Sequence, residues 1–267
     1  MNEKNEIPNI ENEIQKEIAE LNKALYGIKK SGWHKTLRKG SGGIGKTLET
    51  LLGKEEDKNP LPDYKHFEIK TKKYGSLSYI TLFSITPQND LNEIEINRLV
   101  NNYGYPDKIL NNCKILRSEI YANKKILIGN NYYFKLNIKE ERIYISIFYK
   151  NGMKKEEIAY WKISDIYERL RQKISYLVLV NAIKYTRNNI DYYKYYNYDF
   201  YKLNNENIFI DLMKQGIIRV KLKVGVYRES TKKGQIHDHG TSFEIDEVNI
   251  EKLFTKYVRI NKNTPSK

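Results

Sequence analysis

Isoleucine and leucine recur along the N-terminal stretch in helical steps. Ile10, Ile14, Ile18, Leu21 and Leu25 lie three or four residues apart, which predicts an amphipathic helix over Ile7–Lys30 with one apolar stripe. Gly32 stands just beyond it as a stop. The pattern then breaks into a basic, glycine-rich segment, GWHKTLRKGSGG, and resumes as a short helix, Ile44–Leu52, closed by Gly53. After a polar loop the period drops to two, and strands are expected at Phe67–Lys72 and Tyr79–Ser84. Asp90 and Glu93 have capping-box spacing ahead of Ile94, Leu99 and Val100, so a helix should begin near Asp90. The middle of the chain reads as strands at Lys114–Ile120, Tyr132–Ile138 and Arg142–Tyr149. Ser164 is placed to N-cap a helix over Asp165–Lys173. Tyr176–Ile183 is a continuous apolar run of strand length, the mark of a strand buried on both faces. Ile217–Tyr227 (IIRVKLKVGVY) alternates, a basic loop Arg228–Gln235 follows, and a last strand is expected at Ser242–Ile245. The sum is an α+β chain without repeats or a Pro/Gly/Ser-rich linker.

Composition narrows the setting. A chain of 267 residues can bury a sizeable core without disulfides or metal staples. Lys and Arg total 47 against 33 Asp and Glu, a net charge of +14, which points to a polyanionic partner. The single cysteine, Cys113, excludes a disulfide framework and a cysteine-rich zinc site and fits a reducing cytoplasm. No apolar run approaches the ~20 residues that span a bilayer, so no membrane is expected. The polar, acidic start (Met1 to Glu13) does not read as a secretory signal. There are 23 tyrosines, crowded in Asp191–Tyr201 (DYYKYYNYDFY). Interleaved aromatic and basic residues can stack single-stranded bases. Lys, Asn, Ile and Tyr also share A/T-rich codons, and genome composition is the preferred account of the excess.

Chemistry concentrates in Glu49, Asp63, Glu68 and Lys70. Glu68 and Lys70 are two apart on one expected strand and therefore face the same way. A loop carboxylate entering beside that strand brings Asp63 and Glu68 to one hard divalent cation. Mg2+ suits such oxygen ligands. Bound metal lowers the pKa of a water and neutralises a phosphodiester. Lys70 is then placed to stabilise the transition state or orient the attacking water. Glu49 is a supporting acid that orients Lys70 or holds a second ion. The bare pattern, Asp then Glu-x-Lys, also arises from alternating charge on a surface strand. Residues 40–47 (GSGGIGKT) satisfy the P-loop spelling, but the segment before them is basic and polar, so no buried strand feeds the turn. A Walker-B-like run, Ile208-Phe209-Ile210-Asp211, is too common a pattern to rescue an ATPase reading.

A second set lies near the C-terminus. Lys221 and Lys223 share one strand face, and His237, His239 and Glu244 follow. Lys donates to guanine O6 and N7, and Glu accepts from cytosine N4, so these are candidate base readers. The alternative for His237 is a turn cap. Four histidines and one cysteine make a closed zinc site improbable. Arg38, Lys39, Lys72, Lys73, Arg228, Lys232 and Lys233 are candidate phosphate contacts.

On these residues a resemblance becomes specific. Asp63 with Glu68-Ile69-Lys70 resembles the PD-(D/E)xK nuclease core. The run Gly32 to Thr71, with GWHKTLRKG, GIGKTLETLLGKEED, LPDY and FEIKT, and the distant block KKGQIHDHGTSFEI resemble the MvaI/BcnI family of type II restriction endonucleases. That family is similar in its core to the MutH nickase, which has a Gly-rich turn before a helix with a Leu-Glu pair, here Leu48-Glu49. The resemblance implies a mixed β-sheet flanked by helices, with a DNA-recognition lobe. Residues 1–185 would be mainly catalytic and 186–267 mainly recognition, in one continuous unit. It implies a Mg2+-dependent endonuclease that hydrolyses duplex DNA at a short specific site, as a monomer cutting one strand at a time. Asp63 and Glu68 would bind the metal, Lys70 would be catalytic and Glu49 supporting. No stable protein partner is required, and a cognate DNA methyltransferase is implied genetically. A MutH-like nicking or repair endonuclease and a catalytically silent DNA-binding module are the alternatives. The family pattern has an acid and an arginine where Lys221 and Lys223 stand, and an arginine where Glu244 stands. The reversed charges imply an altered recognition sequence.

Overall fold

The computed structural model describes residues 7–54, 61–77, 79–88, 95–129 and 131–257. In chain order it contains α1 (Ile7–Lys30), β1 (His34–Lys35), α2 (Gly43–Leu51), β2 (Phe67–Lys73), β3 (Ile80–Ser84), α3 (Glu95–Tyr103), β4 (Tyr105–Pro106) and β5 (Lys114–Ile120). Then come β6 (Ile126–Ile128), β7 (Tyr132–Lys139), β8 (Arg142–Tyr149), β9 (Lys154–Lys162), α4 (Ile163–Ile174), β10 (Tyr176–Arg187) and β11 (Ile190–Leu203). The chain ends with α5 (Ile208–Lys214), β12 (Ile218–Val226), β13 (Ile236–Asp238), β14 (Ser242–Ile245), α6 (Ile250–Leu253) and β15 (Phe254–Lys256).

The chain forms two compact units, each discontinuous in sequence: residues 1–78, 172–203 and 254–267, and residues 79–171 and 204–253. The sequence reading drew one boundary at residue 185. A cut there falls inside β10, which pairs with β11 from Tyr176↔Lys202 to Arg187↔Ile190.

The first unit is built on a mixed sheet in the order β1-β11-β10-β2. β10 and β11 are antiparallel, and β2 joins β10 in parallel, with Glu68 opposite Leu177 and Lys70 opposite Leu179. Ile14, Ile18, Leu21, Leu25 and Ile28 of α1 bury against Phe67, Ile69, Val178, Val180, Tyr193 and Tyr195. The predicted stripe is one residue too long, because Ile10 is 53% exposed. The side chains of β2 alternate, so Phe67 and Ile69 enter this core while Glu68 and Lys70 face the other way. The tyrosine-rich run set aside as codon bias is the strand β11, with Tyr193 and Tyr195 in the core. Tyr195 Oη donates to the Ile44 carbonyl at 2.7 Å, which ties the strand to α2.

The second unit holds two sheets, β3-β14-β12-β5-β4 with β13 on β12, and β6-β7-β8-β9. Phe83, Phe209, Phe243 and Trp161 make an aromatic centre beneath the first of them. The Walker-B-like residues 208–211 lie on α5, a helix, so no nucleotide-site strand exists there. Ser164 sits inside the first turn of α4 and bonds Asp165, not at its N-cap, because Ile163 already takes up the helix. Asp90, Glu93 and Ile94 lie outside the described residues, and Leu99 and Val100 are buried on α3. β9 was not foreseen, since its LysLysGluGlu start hides the alternation.

Candidate active site

Glu49, Asp63, Glu68 and Lys70 all lie in the first unit. α2 places Glu49. Gly43 opens this helix because a Cβ there would stand 2.3 Å from the Arg38 carbonyl oxygen and 2.5 Å from Thr36 Oγ1. The Thr47 hydroxyl accepts from the Leu37 N–H at 3.1 Å, fixing the basic segment to the helix. Within the P-loop-like run Gly43 serves close packing and Gly40 a turn at positive φ, and the strand before them, β1, is two residues long. Gly45 keeps the approach to β2 narrow: Thr71 Oγ1 and Glu49 Oε1 lie 3.6 and 3.8 Å from where its Cβ would be.

Asp63 is drawn to β2 by the strand itself. Its Oδ2 accepts from the Ile69 N–H at 3.0 Å, and its Oδ1 accepts from Lys54 Nζ at 2.6 Å. Ile69 is the neighbour of Glu68, so the bond sets the loop carboxylate beside the strand carboxylate. Glu68 is 2% exposed. Lys70 Nζ donates to Glu68 Oε1 at 2.5 Å. Lys173 Nζ stands 3.1 Å from Oε2, in ion-pair range but off a hydrogen-bond direction, so that buried oxygen has no hydrogen-bond donor. Lys54 and Lys173 were not foreseen. Lys54 lies nine residues before Asp63, and Lys173 arrives from the end of α4, so no local spacing reveals either.

The two outer acids are tuned in opposite directions. Burial pushes the Glu49 carboxyl up, reinforced by the Asp63 charge, against the pull of Lys54, Lys46 and Lys70. Burial acts in the same sense on Asp63. The Lys54 bond, the Ile69 N–H and the Lys70 charge outweigh it and hold that carboxyl below its usual range. Among the described residues the three acids do not close into a compact cage; Glu13, Glu17 and His66, elsewhere in this unit, do gather that way. The donor chemistry at Asp63 and Glu68 still fits a hard divalent cation: two carboxylates, one bonded to the amide next to the other, and one with a buried oxygen lacking a hydrogen-bond donor.

The phosphate candidates divide. Lys39, Lys73, Lys232 and Lys233 are exposed, and so is Arg38. Lys72 is 8% exposed, on the same face of β2 as Glu68 and Lys70. Arg228 grips the buried Asp107 with both nitrogens, at 2.5 and 2.6 Å, so its guanidinium already has an internal acid as partner.

The base-reader candidates stand together on the second unit. Arg219, Lys221 and Lys223 alternate with buried Ile218, Val220 and Leu222 along β12. Arg219 faces Glu244 and Lys221 faces Ser242 on β14, while Lys221 faces Glu119 and Lys223 faces Arg117 on β5. Glu244 is 4% exposed. Its Oε2 accepts from Arg219 at 3.0 and 3.2 Å, and its Oε1 takes Lys223 at 3.2 Å and Ser242 Oγ at 3.1 Å. Lys221 pairs with Glu119 at 3.1 Å. Arg219 also lies 3.5 Å over the Tyr79 ring. Asp238, not His237, caps the turn, accepting from the Gly240 and Thr241 amides. His237 stacks on Tyr227 at 4.4 Å and meets His239 edge-on at 4.6 Å. Burial, with the charges of His237 and Arg117, lowers the His239 pKa.

The chain as a whole is similar to known proteins. The family model described as "MvaI/BcnI restriction endonuclease family" matches residues 22–254. A solved structure of restriction endonuclease MvaI with a cognate DNA substrate is 32% identical, with a TM-score of 0.83 over 90% of this chain and 97% of that one. MvaI in the absence of DNA gives 26% identity and a TM-score of 0.57, over 90% and 96%. No curated protein matches the chain.

Proposed function

The chain belongs to the MvaI/BcnI restriction endonuclease family and is a type II site-specific deoxyribonuclease, and on that premise we propose that it is a Mg2+-dependent monomer cutting one strand of duplex DNA at a time. The observation that carries the reading is the Asp63–Ile69 bond, which sets one carboxylate beside Glu68 on the strand that also presents Lys70. Asp63 and Glu68 hold the ion. When bound, it supplies positive charge to the scissile phosphate and a water of lowered pKa. Lys70 moves from Glu68 to the reacting phosphate or its water and carries charge there. Glu49 supports Lys70 and Asp63 from α2, its raised pKa leaving it the more easily protonated acid of the pair. One such centre per chain accounts for sequential cutting. Lys221, Lys223, His237, His239 and Glu244 belong to base recognition, with Glu244 setting the positions of Arg219 and Lys223. Arg38, Lys39, Lys73, Lys232 and Lys233 contact phosphates. The recognition sequence differs from that of family members with opposite charges at the reading positions. The proposed setting is the cytoplasm, with no stable protein partner required; a DNA methyltransferase that protects the host genome is implied genetically and not as a physical partner.

Incubation with plasmid and phage DNA in Mg2+ or Ca2+ tests this. Discrete fragments in Mg2+ with a single sequence at their ends support it. Nicking confined to mismatched or hemimethylated sites would favour a MutH-like role, and tight binding without cleavage a silent module.

A further inference from the structure

The polar face of the sheet around β12, with the loops beside it, carries charged side chains whose pairing is uneven. Arg219 and Lys223 are bound to Glu244, and Lys221 is bound to Glu119. Arg228, in the following loop, is bound to Asp107. Arg117 differs. It is exposed on β5, directly opposite Lys223 and on the same face as Glu119. Among the described residues no carboxylate pairs with it.

Its position is nevertheless defined. The row Arg219, Lys221, Lys223 continues to Gly225, where the face has no side chain. Arg117 Nη2 and His239 Nε2 each lie 2.9 Å from the point a Gly225 Cβ would occupy. Two polar side chains, one from β5 and one from the turn after β13, therefore converge over a glycine. Any larger residue at 225 would push them apart. His239 is kept in place by its N–H to the Lys223 carbonyl, 3.1 Å, and by the stack through His237 to Tyr227.

An exposed guanidinium without an internal acid, held beside a histidine over an empty strand position, has its planar fork open to an outside acceptor. Guanine O6 and N7 match that fork, and Arg is the commonest partner for that pair in the major groove. We propose that Arg117 reads a guanine of the recognition sequence, with Gly225 and His239 setting its reach. This rests on the reading of the second unit as the base-recognition surface. It shifts the principal guanine contact from the lysines of β12, which are internally paired, to an arginine on the adjacent strand.

The test is equilibrium binding of the full chain in Ca2+ to a duplex carrying its cleavage site, and to duplexes with each base pair replaced in turn. Arg117→Gln should lose discrimination at one G·C position by about tenfold to a hundredfold, with unspecific affinity nearly unchanged. Gly225→Val, in which Arg117 remains present but displaced, should lose discrimination at the same position. Melting curves matching the wild type keep folding out of the comparison. Identical base preferences in the wild type and Arg117→Gln would overturn the proposal while leaving recognition by this unit intact. A wild type without any base preference would overturn both. Loss spread evenly over all positions would make Arg117 a phosphate contact and also overturn it.

Discussion

Single residues here are defined by which charges they hold in check. Glu68 is buried beside two lysines, and in the proposed mechanism Lys70 is the one whose hydrogen bond with it breaks to reach substrate. Lys70→Ala should lower the cleavage rate at least a hundredfold while Ca2+-dependent binding stays within a few-fold. Equal loss of binding would refute the role given to Lys70. Glu244 is a buried acid under an arginine and a lysine. Glu244→Ala should cost about 3 kcal/mol in urea unfolding, since it leaves Arg219 and Lys223, two cations on one face of β12, without the buried carboxylate they share. Asp107 offers a pH signature. The Arg228 guanidinium and two backbone N–H groups hold its carboxyl well below the ordinary 3.8. Its contribution is complete above that value and is lost as pH falls through the lower native value. The melting-temperature gap between the wild type and Arg228→Met should therefore be widest near neutrality and narrow as the pH is taken below 3.8.

Elements differ in how openly the sequence declares them. α1 was legible because its stripe keeps strict helical spacing, and it misled only at Ile10, beyond the reach of the sheet. β2, β5 and β12 were legible because one face is largely apolar and the other charged, and β8 because isoleucine recurs at every second position. β11 was not. Its tyrosines alternate between core and surface, and tyrosine fits both, so hydropathy shows no period. Tyr195 makes this testable: Tyr195→Ala removes a buried ring and the bond to Ile44, and should cost about 3–5 kcal/mol. The candidate site was legible where residues are neighbours in sequence, as with Glu68 and Lys70. Asp63 was found through its place before that strand. Lys54, Lys173, Arg117 and Arg219 were missed because only tertiary pairing gives them a role.

At the scale of the whole molecule, the net charge of +14 acquires an address. Part of it answers the acids of the first unit, where Lys54, Lys70 and Lys173 surround Asp63 and Glu68. Part stands exposed at Lys39, Lys73, Lys232 and Lys233, where it is available to phosphates. Affinity for DNA should fall linearly on a log–log plot against salt, and removing one such lysine should lower the slope by about one unit. The central claim is that Asp63, Glu68 and Lys70 form the chain's one hydrolytic centre. The most direct test follows a supercoiled plasmid with a single cleavage site in Mg2+, using the wild type and Asp63→Asn. The wild type should build up nicked circles before linear DNA, and Asp63→Asn should leave the plasmid supercoiled. Linear product without a nicked stage would contradict one-strand-at-a-time cutting, and undiminished cleavage by Asp63→Asn would contradict the site itself.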